Sequence, residues 1–376
     1  MAENVHKKVA VLCCDAPTLL TLRLDLLRDF MRAGLETTVL APADPKTERA
    51  LLAEGLSFIP VPLDRNGTKV SADIKAARAV KKVLQALQPD LLFCFHAKAV
   101  VYGLPAAKVA KVPARFALIN GLGSVLMHRG TDLRGKLLRR LLLFQYRYAL
   151  KRARTVFFQN PDNAKLFVDG GIVDPDKLRI LNGSGVNLEN FLPTPLPNEK
   201  RFLFVGRFLA DKGLPEFLEA ARRLTREGLP ATFAMAGYYD SNPSAMQPED
   251  VEPYIRDGSV QFLGFLKDIR PALCDCYAFV LPSHHEGTPR SALEAMATGR
   301  AIITTDAPGC RETVRDGRNG FLLPVGNVDA LADAMRKLAG DRELAKRMGK
   351  RSREYAQERF DVREVNRVIL EELLGT

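Results

Sequence analysis

Two carboxylates, Glu286 and Glu294, stand with seven residues between them in the run Pro282-Ser283-His284-His285-Glu286-Gly287-Thr288-Pro289-Arg290-Ser291-Ala292-Leu293-Glu294-Ala295-Met296-Ala297-Thr298-Gly299. An ionised carboxylate can accept two hydrogen bonds from a vicinal diol, so each acid suits a sugar or a ribose. Between them, Gly287 lets a ligand approach the main chain, and Pro289 suits a first helical turn, where its missing N–H would be unpaired anyway. Free N–H groups at such a helix start attract phosphate. An anion site flanked by two diol-binding acids fits a sugar nucleotide. The same spacing also fits a plain strand-loop-helix with two solvated glutamates, and only the flanking residues separate the two readings.

Those flanks supply the elements that must hold the acids. The apolar run Tyr277 to Leu281 reads as a buried strand, and Gly299 suits a helix C-terminal stop, so Glu286 falls in a loop and Glu294 on the helix after it. Upstream, Phe202-Leu203-Phe204-Val205 reads as another strand, ending in Gly206-Arg207, with Asp211-Lys212-Gly213 before a helix near Leu214. Arg207 and Lys212 therefore project from one strand-to-helix loop. There they can clamp a diphosphate, Arg by its planar fork and Lys as a point charge. A merely solvated role is disfavoured, because cations are unwelcome at the start of a helix.

Taken together, Pro-Ser-x-x-Glu-Gly-x-Pro-x-Ser-x-Leu-Glu-Ala-x-Ala-x-Gly, then Ala301-Ile302-Ile303 and Gly309-Cys310-Arg311-Glu312, with Phe204-Val205-Gly206-Arg207 and Asp211-Lys212-Gly213 upstream, resemble the donor-site signature of family 4 of the retaining glycosyltransferases. The resemblance spans most of residues 201–325 in the expected order. It implies an α/β chain of the GT-B type, two Rossmann-like parallel-sheet domains facing a cleft. It implies a catalytic set of Glu286, Arg207, Lys212 and His96. Donor contacts are then expected from Gly206, Gly287, Thr288, Pro289, Leu266 and Glu294, with Glu286 on the sugar hydroxyls and Glu294 on the ribose diol. Leu266 enters through Phe262-Leu263-Gly264-Phe265-Leu266, which resembles the loop that meets the nucleotide base. No cofactor is implied, the nucleotide sugar being a co-substrate, and no metal; the sequence has no Asp-x-Asp in either loop.

A second set of residues narrows the resemblance. Arg115-Phe116-Ala117-Leu118-Ile119-Asn120-Gly121-Leu122-Gly123-Ser124, with Ser184-Gly185-Val186-Asn187, is similar to the bacterial subgroup that extends a polyprenyl-diphosphate-linked sugar, typified by addition of N-acetylgalactosamine to undecaprenyl-diphospho-bacillosamine. The donor implied is a UDP-linked N-acetylhexosamine. Gly121 and Gly123 would let acceptor or donor approach closely, although a tight turn after a strand explains them too.

The whole chain accommodates this reading. Strand-like runs alternate with helical stretches from Val9-Ala10-Val11-Leu12-Cys13 onward, which argues for parallel sheets. Ligands of such sheets bind beyond the carboxyl ends of the strands, where His96 follows Leu91-Leu92-Phe93-Cys94-Phe95. The loop Cys13-Cys14-Asp15-Ala16-Pro17-Thr18 lacks the glycine pair that many family members carry. Three prolines within five positions, Pro193 to Pro197, break the alternation and predict a linker over 193–200. It divides an N-terminal acceptor-binding domain, 1–192, from a donor-binding domain, 201–360, and the resemblance implies that the last helix, 361–376, crosses back. Six scattered cysteines predict buried thiols in a reducing cytoplasm. The polar start shows no signal peptide, and no apolar run reaches the ~20 residues that span a bilayer.

Charge is concentrated. Between His128 and Arg154 nine Lys or Arg face one acid, in a chain of formal charge +11. At helical spacing Lys136, Arg140, Arg147, Lys151 and Arg154 share a stripe beside Leu137, Leu138, Leu141, Phe144 and Tyr148. Such a helix fits an anionic membrane surface, with Arg140, Arg147 and Lys151 touching lipid, and so a peripheral place on the inner face of the cell membrane. It equally fits a helix whose apolar face packs on the N-terminal sheet. A nucleic-acid partner is not expected, since the charge sits on one helix and no reader module is recognisable. A dehydrogenase is disfavoured by the absence of G-x-G-x-x-G after the first strand. A soluble-acceptor transferase or a UDP-sugar epimerase remains the alternative on the same fold.

Overall fold

In a computed structural model of the chain, residues 7–65, 69–123, 126, 133–240 and 244–375 are described. Ser124, 128–132 of the basic stretch and the polar start, 1–6, lie outside them. The chain forms two compact units, Met1–Ser184 with Glu364–Thr376, and Gly185–Arg363.

The first unit carries strands β1 (Lys8–Leu12), β2 (Glu36–Ala41), β3 (Ser57–Pro60), β4 (Leu91–Phe95), β5 (Ala114–Ile119), β6 (Thr155–Phe158) and β7 (Leu178–Ile180). Helices α1 (Leu24–Arg32), α2 (Pro45–Ala53), α3 (Val70–Leu87), α4 (Ala97–Val109), α5 (Leu133–Leu150) and α6 (Pro161–Asp169) connect them. Among the described residues the sheet order is β3-β2-β1-β4-β5-β6-β7, all pairs parallel. Parallel strands are covered on both faces and so read as continuous apolar runs, as β4 does with all five residues buried. Alternate residues serve opposite cores. Ala10, Leu12, Leu92, Cys94 and Ala117 join one cluster, and Val9, Val11, Phe93, Phe95 and Phe116 the other.

The second unit has β8 (Arg201–Arg207), β9 (Thr232–Tyr238), β10 (Gln261–Phe262), β11 (Ala278–Leu281), β12 (Ala301–Thr305) and β13 (Gly320–Leu323). Its helices are α7 (Leu214–Arg226), α8 (Pro248–Arg256), α9 (Arg270–Cys274), α10 (Arg290–Ala297), α11 (Val328–Gly340) and α12 (Arg342–Arg359). The order β10-β9-β8-β11-β12-β13 is again parallel. A last helix, α13 (Val362–Leu374), places Val365, Ile369 and Leu373 in the second core of the first unit. There Asn366 donates to Asp29 at 2.7 Å and Glu372 accepts from Thr155 at 3.0 Å.

The division falls between Ser184 and Gly185, earlier than the prolines suggest. The cause is Arg300, fully buried, whose guanidinium donates to the carbonyls of Thr194 and Pro195 while holding those of Leu273 and Cys274. Arg342 takes the carbonyls of Leu196 and Pro197. The segment 193–197 is thus fastened to the second unit rather than left as a free linker.

Candidate functional site

Both sheets change winding direction at their middle. In the second unit β8 and β11 are neighbours although β9 and β10 lie between them in sequence, so the loops after β8 and β11 emerge side by side. That topology brings residues 207–213 to residues 282–289. Gly213 holds φ +71 with no room for a side chain against the Pro282 carbonyl, which is the close approach its residue type permits.

At this point the acids and bases interlock. Lys212 Nζ bonds Glu286 Oε1. Arg207 donates to Asp240 Oδ2 at 2.7 Å, and Arg290 to Glu294 Oε1 at 2.8 Å. Glu286 and Glu294 are mostly covered, with side chains 11% and 12% exposed. Burial pushes the Glu294 carboxyl up, opposed by the Arg290 charge and hydrogen bond. The Glu286 amide donates to the Pro308 carbonyl at 2.9 Å, and Gly309 packs against the main chain of Glu286 and Gly287. Helix α10 begins at Arg290 with Pro289 as its N-cap, and no side chain caps it. Gly299, at φ +83, follows its end. Thr288 and Pro289 are buried, Gly287 and Leu266 half-buried. Ser291 Oγ donates to the Val205 carbonyl at 3.1 Å and ties α10 to β8 beside Gly206. Gly237 N donates to Gly264 O at 3.0 Å, which brings the Leu266 loop to the end of β9. The arrangement offers a helix start and two paired cations to an anion, and two carboxylates to hydroxyl groups.

Asp240 was not singled out by sequence, nor was Glu216, whose Oε1 lies 2.7 Å from His284 Nε2. The signal for Asp240 was its place just after a strand, the criterion that found His96.

In the first unit the switch lies between β1 and β4. His96 follows β4 with φ 74 and ψ 147, a sparsely populated conformation for a residue with a side chain, and it is the N-cap of α4. Its Nδ1 is buried without a hydrogen bond. Burial, then the charges of Arg65 and Arg23, lower its pKa to about 3, so the imidazole is neutral near pH 7. Lys98 pairs with Asp73 at 2.8 Å, and Tyr102 donates to the same carboxylate at 2.9 Å. The loop after β1 borders a cavity of about 600 Å³ lined by Cys14, Asp15, Asp44, Leu63, Asp64 and Arg65, in which Arg65 pairs with Asp15. Gly123, at φ +70, has open space around it, and Asn120 Oδ1, beside Gly121, is buried without a partner.

Helix α5 corrects one expectation. It packs through Tyr146, Ala149 and Leu150, with Leu142 and Leu143 behind them. Leu137, Leu138, Leu141, Phe144 and Tyr148, the face that could have packed on the sheet, are 49–69% exposed. The helix has two apolar stripes, and the core beside α4 takes the other one. Lys136, Arg140, Arg147 and Lys151 are exposed beside the uncovered stripe. Of the cysteines, all free, only Cys274 is exposed, at the end of short α9. Among the described residues no helix is long and apolar enough to cross a membrane.

Two family models account for most of the chain. Residues 22–183 match the glycosyl transferase 4-like domain and residues 199–341 the glycosyl transferases group 1. The N,N'-diacetylbacillosaminyl-diphospho-undecaprenol alpha-1,3-N-acetylgalactosaminyltransferase of Campylobacter jejuni is 31% identical over 89% of this chain and 90% of its own length. The UDP-Gal:alpha-D-GlcNAc-diphosphoundecaprenol alpha-1,3-galactosyltransferase of Escherichia coli is 25% identical over 76% of this chain and 75% of its own. In fold the chain matches the sucrose-phosphate synthase of Thermosynechococcus elongatus with a TM-score of 0.80 at 18% identity, over 97% of this chain and 98% of that one. Anabaena HepE in complex with UDP and glucose matches with 0.78 at 19%, over 99% and 100%.

Proposed function

The chain belongs to the group 1, family 4 glycosyltransferases of GT-B fold, and on that premise we propose that it moves an N-acetylhexosamine from a UDP-sugar to a polyprenyl-diphosphate-linked saccharide with retention at the anomeric carbon. The observation that carries the donor half is the convergence of Arg207, Lys212, Glu286 and Glu294 about the uncapped start of α10. The Campylobacter and Escherichia coli relatives, both named for undecaprenol-linked acceptors, support the acceptor half.

Each residue has a task in this reading. Arg207 and Lys212, with the N–H groups of α10, take the charge that grows on the leaving diphosphate, which is where most of the rate enhancement arises. Glu286 holds donor-sugar hydroxyls and Glu294, kept in place by Arg290, the ribose diol. The backbone at Gly206, Gly287, Thr288 and Pro289 lines the phosphates and Leu266 the base. The bond from the anomeric carbon to phosphate breaks as the acceptor oxygen bonds the same face, and the departing phosphate oxygen takes the acceptor proton. His96 is assigned to the reacting sugar as a neutral hydrogen-bonding group, and Gly121 and Gly123 to the acceptor. Because two cations and a helix start carry the leaving charge, the reaction needs no metal, and turnover should survive a chelator.

Binding tests the donor half. UDP and UDP-N-acetylhexosamine should raise the melting temperature, GDP should not, and Glu294→Ala should weaken the shift. Replacing Arg207 and Lys212 together with Ala should lower UDP affinity at least a hundredfold, about 3 kcal/mol. Unchanged affinity in a folded double variant would refute the diphosphate clamp. Transfer to a water-soluble acceptor as fast as to the polyprenyl-linked one would favour the soluble-acceptor reading.

A further inference from the structure

One polar pair beside the donor residues has no part in the chemistry above. His284 and Glu216 approach to 2.7 Å across two elements, the loop after β11 and the first turn of α7. We infer that Glu216 and His284 form a positioning latch, which fixes the loop presenting Glu286 against the loop presenting Lys212 so that a diphosphate meets both already set; this rests on the donor reading above.

Two of the connections run through one carbonyl. The His284 amide donates to Asp211 O at 2.9 Å, and Ser283 Oγ donates to the same oxygen at 3.1 Å. Lys212 is the next residue after Asp211, and Glu286 lies two beyond His284. With the Lys212–Glu286 bond already described, the imidazole is thus the fourth link between the loops, and the one anchored in a helix. Glu216 suits that anchor. It stands in the first turn of α7, where negative charge is favoured, its side chain is 14% exposed, and its Oε2 is buried without a hydrogen bond. Removing the imidazole leaves that carboxylate without its side-chain partner, so the loop is held by more than contact area.

The pair also gives the latch a direction in pH. Burial raises the Glu216 pKa, but the His284 bond, the Glu216 main-chain amide and the His284 charge together outweigh it and hold the carboxyl low. The Glu216 bond raises His284 against the effect of burial, and the charges of Glu216 and Asp211 add to it. Arg207, Lys212 and Glu286 are the other charged groups on the two loops, and His285 is the other titratable one. Below the raised value the link is an imidazolium–carboxylate pair; as pH rises through it, the link weakens to a hydrogen bond from a neutral imidazole to the carboxylate. UDP affinity is therefore greater on the acid side of that step.

The test is UDP titration calorimetry from acid to alkaline pH on the full chain and on His284→Ala, His284→Gln, Glu216→Gln and the His284→Ala/Glu216→Gln double variant, with the His284 ring followed by NMR. His284→Ala and Glu216→Gln should each weaken UDP roughly tenfold on the acid side, and the double variant no more than the worse single one, as for two halves of one device. His284→Gln, whose amide can donate to Glu216, should recover most of the affinity but without the pH step. Additive losses, a step that survives in His284→Gln, or unchanged affinity in folded His284→Ala overturns the latch. Wild-type protein that binds no UDP overturns the donor reading instead, whereas a His284 ring that titrates identically with and without Glu216 overturns the latch alone.

Discussion

His96 combines two unfavourable features at one position, a strained backbone and a buried ring nitrogen without a partner. Strain of this kind costs about 1–3 kcal/mol and persists where the surroundings impose it. Its pKa, lowered to about 3, has a consequence for stability. Below the unfolded pKa of about 6.5 the unfolded chain takes up a proton that the native ring refuses, so stability falls as pH drops from there toward 3. His96→Gln should therefore flatten the acid side of a melting-temperature profile while leaving the alkaline side unchanged, and it should slow transfer without moving the pH optimum. A profile that keeps its acid slope would show that the ring takes up its proton equally in the native and the unfolded chain. His96 was legible in sequence because five apolar residues announce the strand before it. Asp240 also follows a strand, but its pairing with Arg207 was not legible, because Arg207 lies in another strand and the pairing of β8 with β9 sets their approach.

At the scale of elements, periodicity found the cations of α5 but could not say which of its two apolar stripes the core would cover. Packing decides that, and it leaves Leu137, Leu141 and Phe144 beside Arg140, Arg147 and Lys151. Both components of interfacial binding then lie on one surface. With each cation contributing about 1 kcal/mol near an anionic bilayer, changing all three to Gln should weaken binding to phosphatidylserine-containing vesicles roughly a hundredfold. Zwitterionic vesicles should hardly distinguish the two proteins. Phe144→Asp should reduce binding to both kinds, and equal binding by all variants in flotation would rule out α5 as the contact. The strand-loop-helix around Glu286 was readable in full, since each of its turns depends on local residue chemistry. Its meeting with Lys212 depends instead on the reversal of winding between β8 and β11.

For the whole molecule, the prolines at 193–197 marked a break in the alternation but not the division between the units, because Arg300 and Arg342 claim that segment by its carbonyls. No local signal announces such side chains. The return of the last helix came from the resemblance, and its weight in the fold can be measured. Ile369 is fully buried in the core of the first unit, so Ile369→Ala should cost about 2–5 kcal/mol in chemical denaturation of that unit, with UDP binding by the second unit retained. A loss confined to UDP binding would place Ile369 in the wrong unit. The same helix sets an order on synthesis. Residues 185–363 are continuous, so the second unit can complete as soon as it leaves the ribosome, whereas the first waits for residues 364–376 although its sheet is made earlier. Throughout that interval its slot for Val365, Ile369 and Leu373 stands open, an apolar surface of the kind that chaperones bind and that aggregates when they do not. A chain cut short just after residue 363 would therefore carry a complete second unit and an incomplete first one.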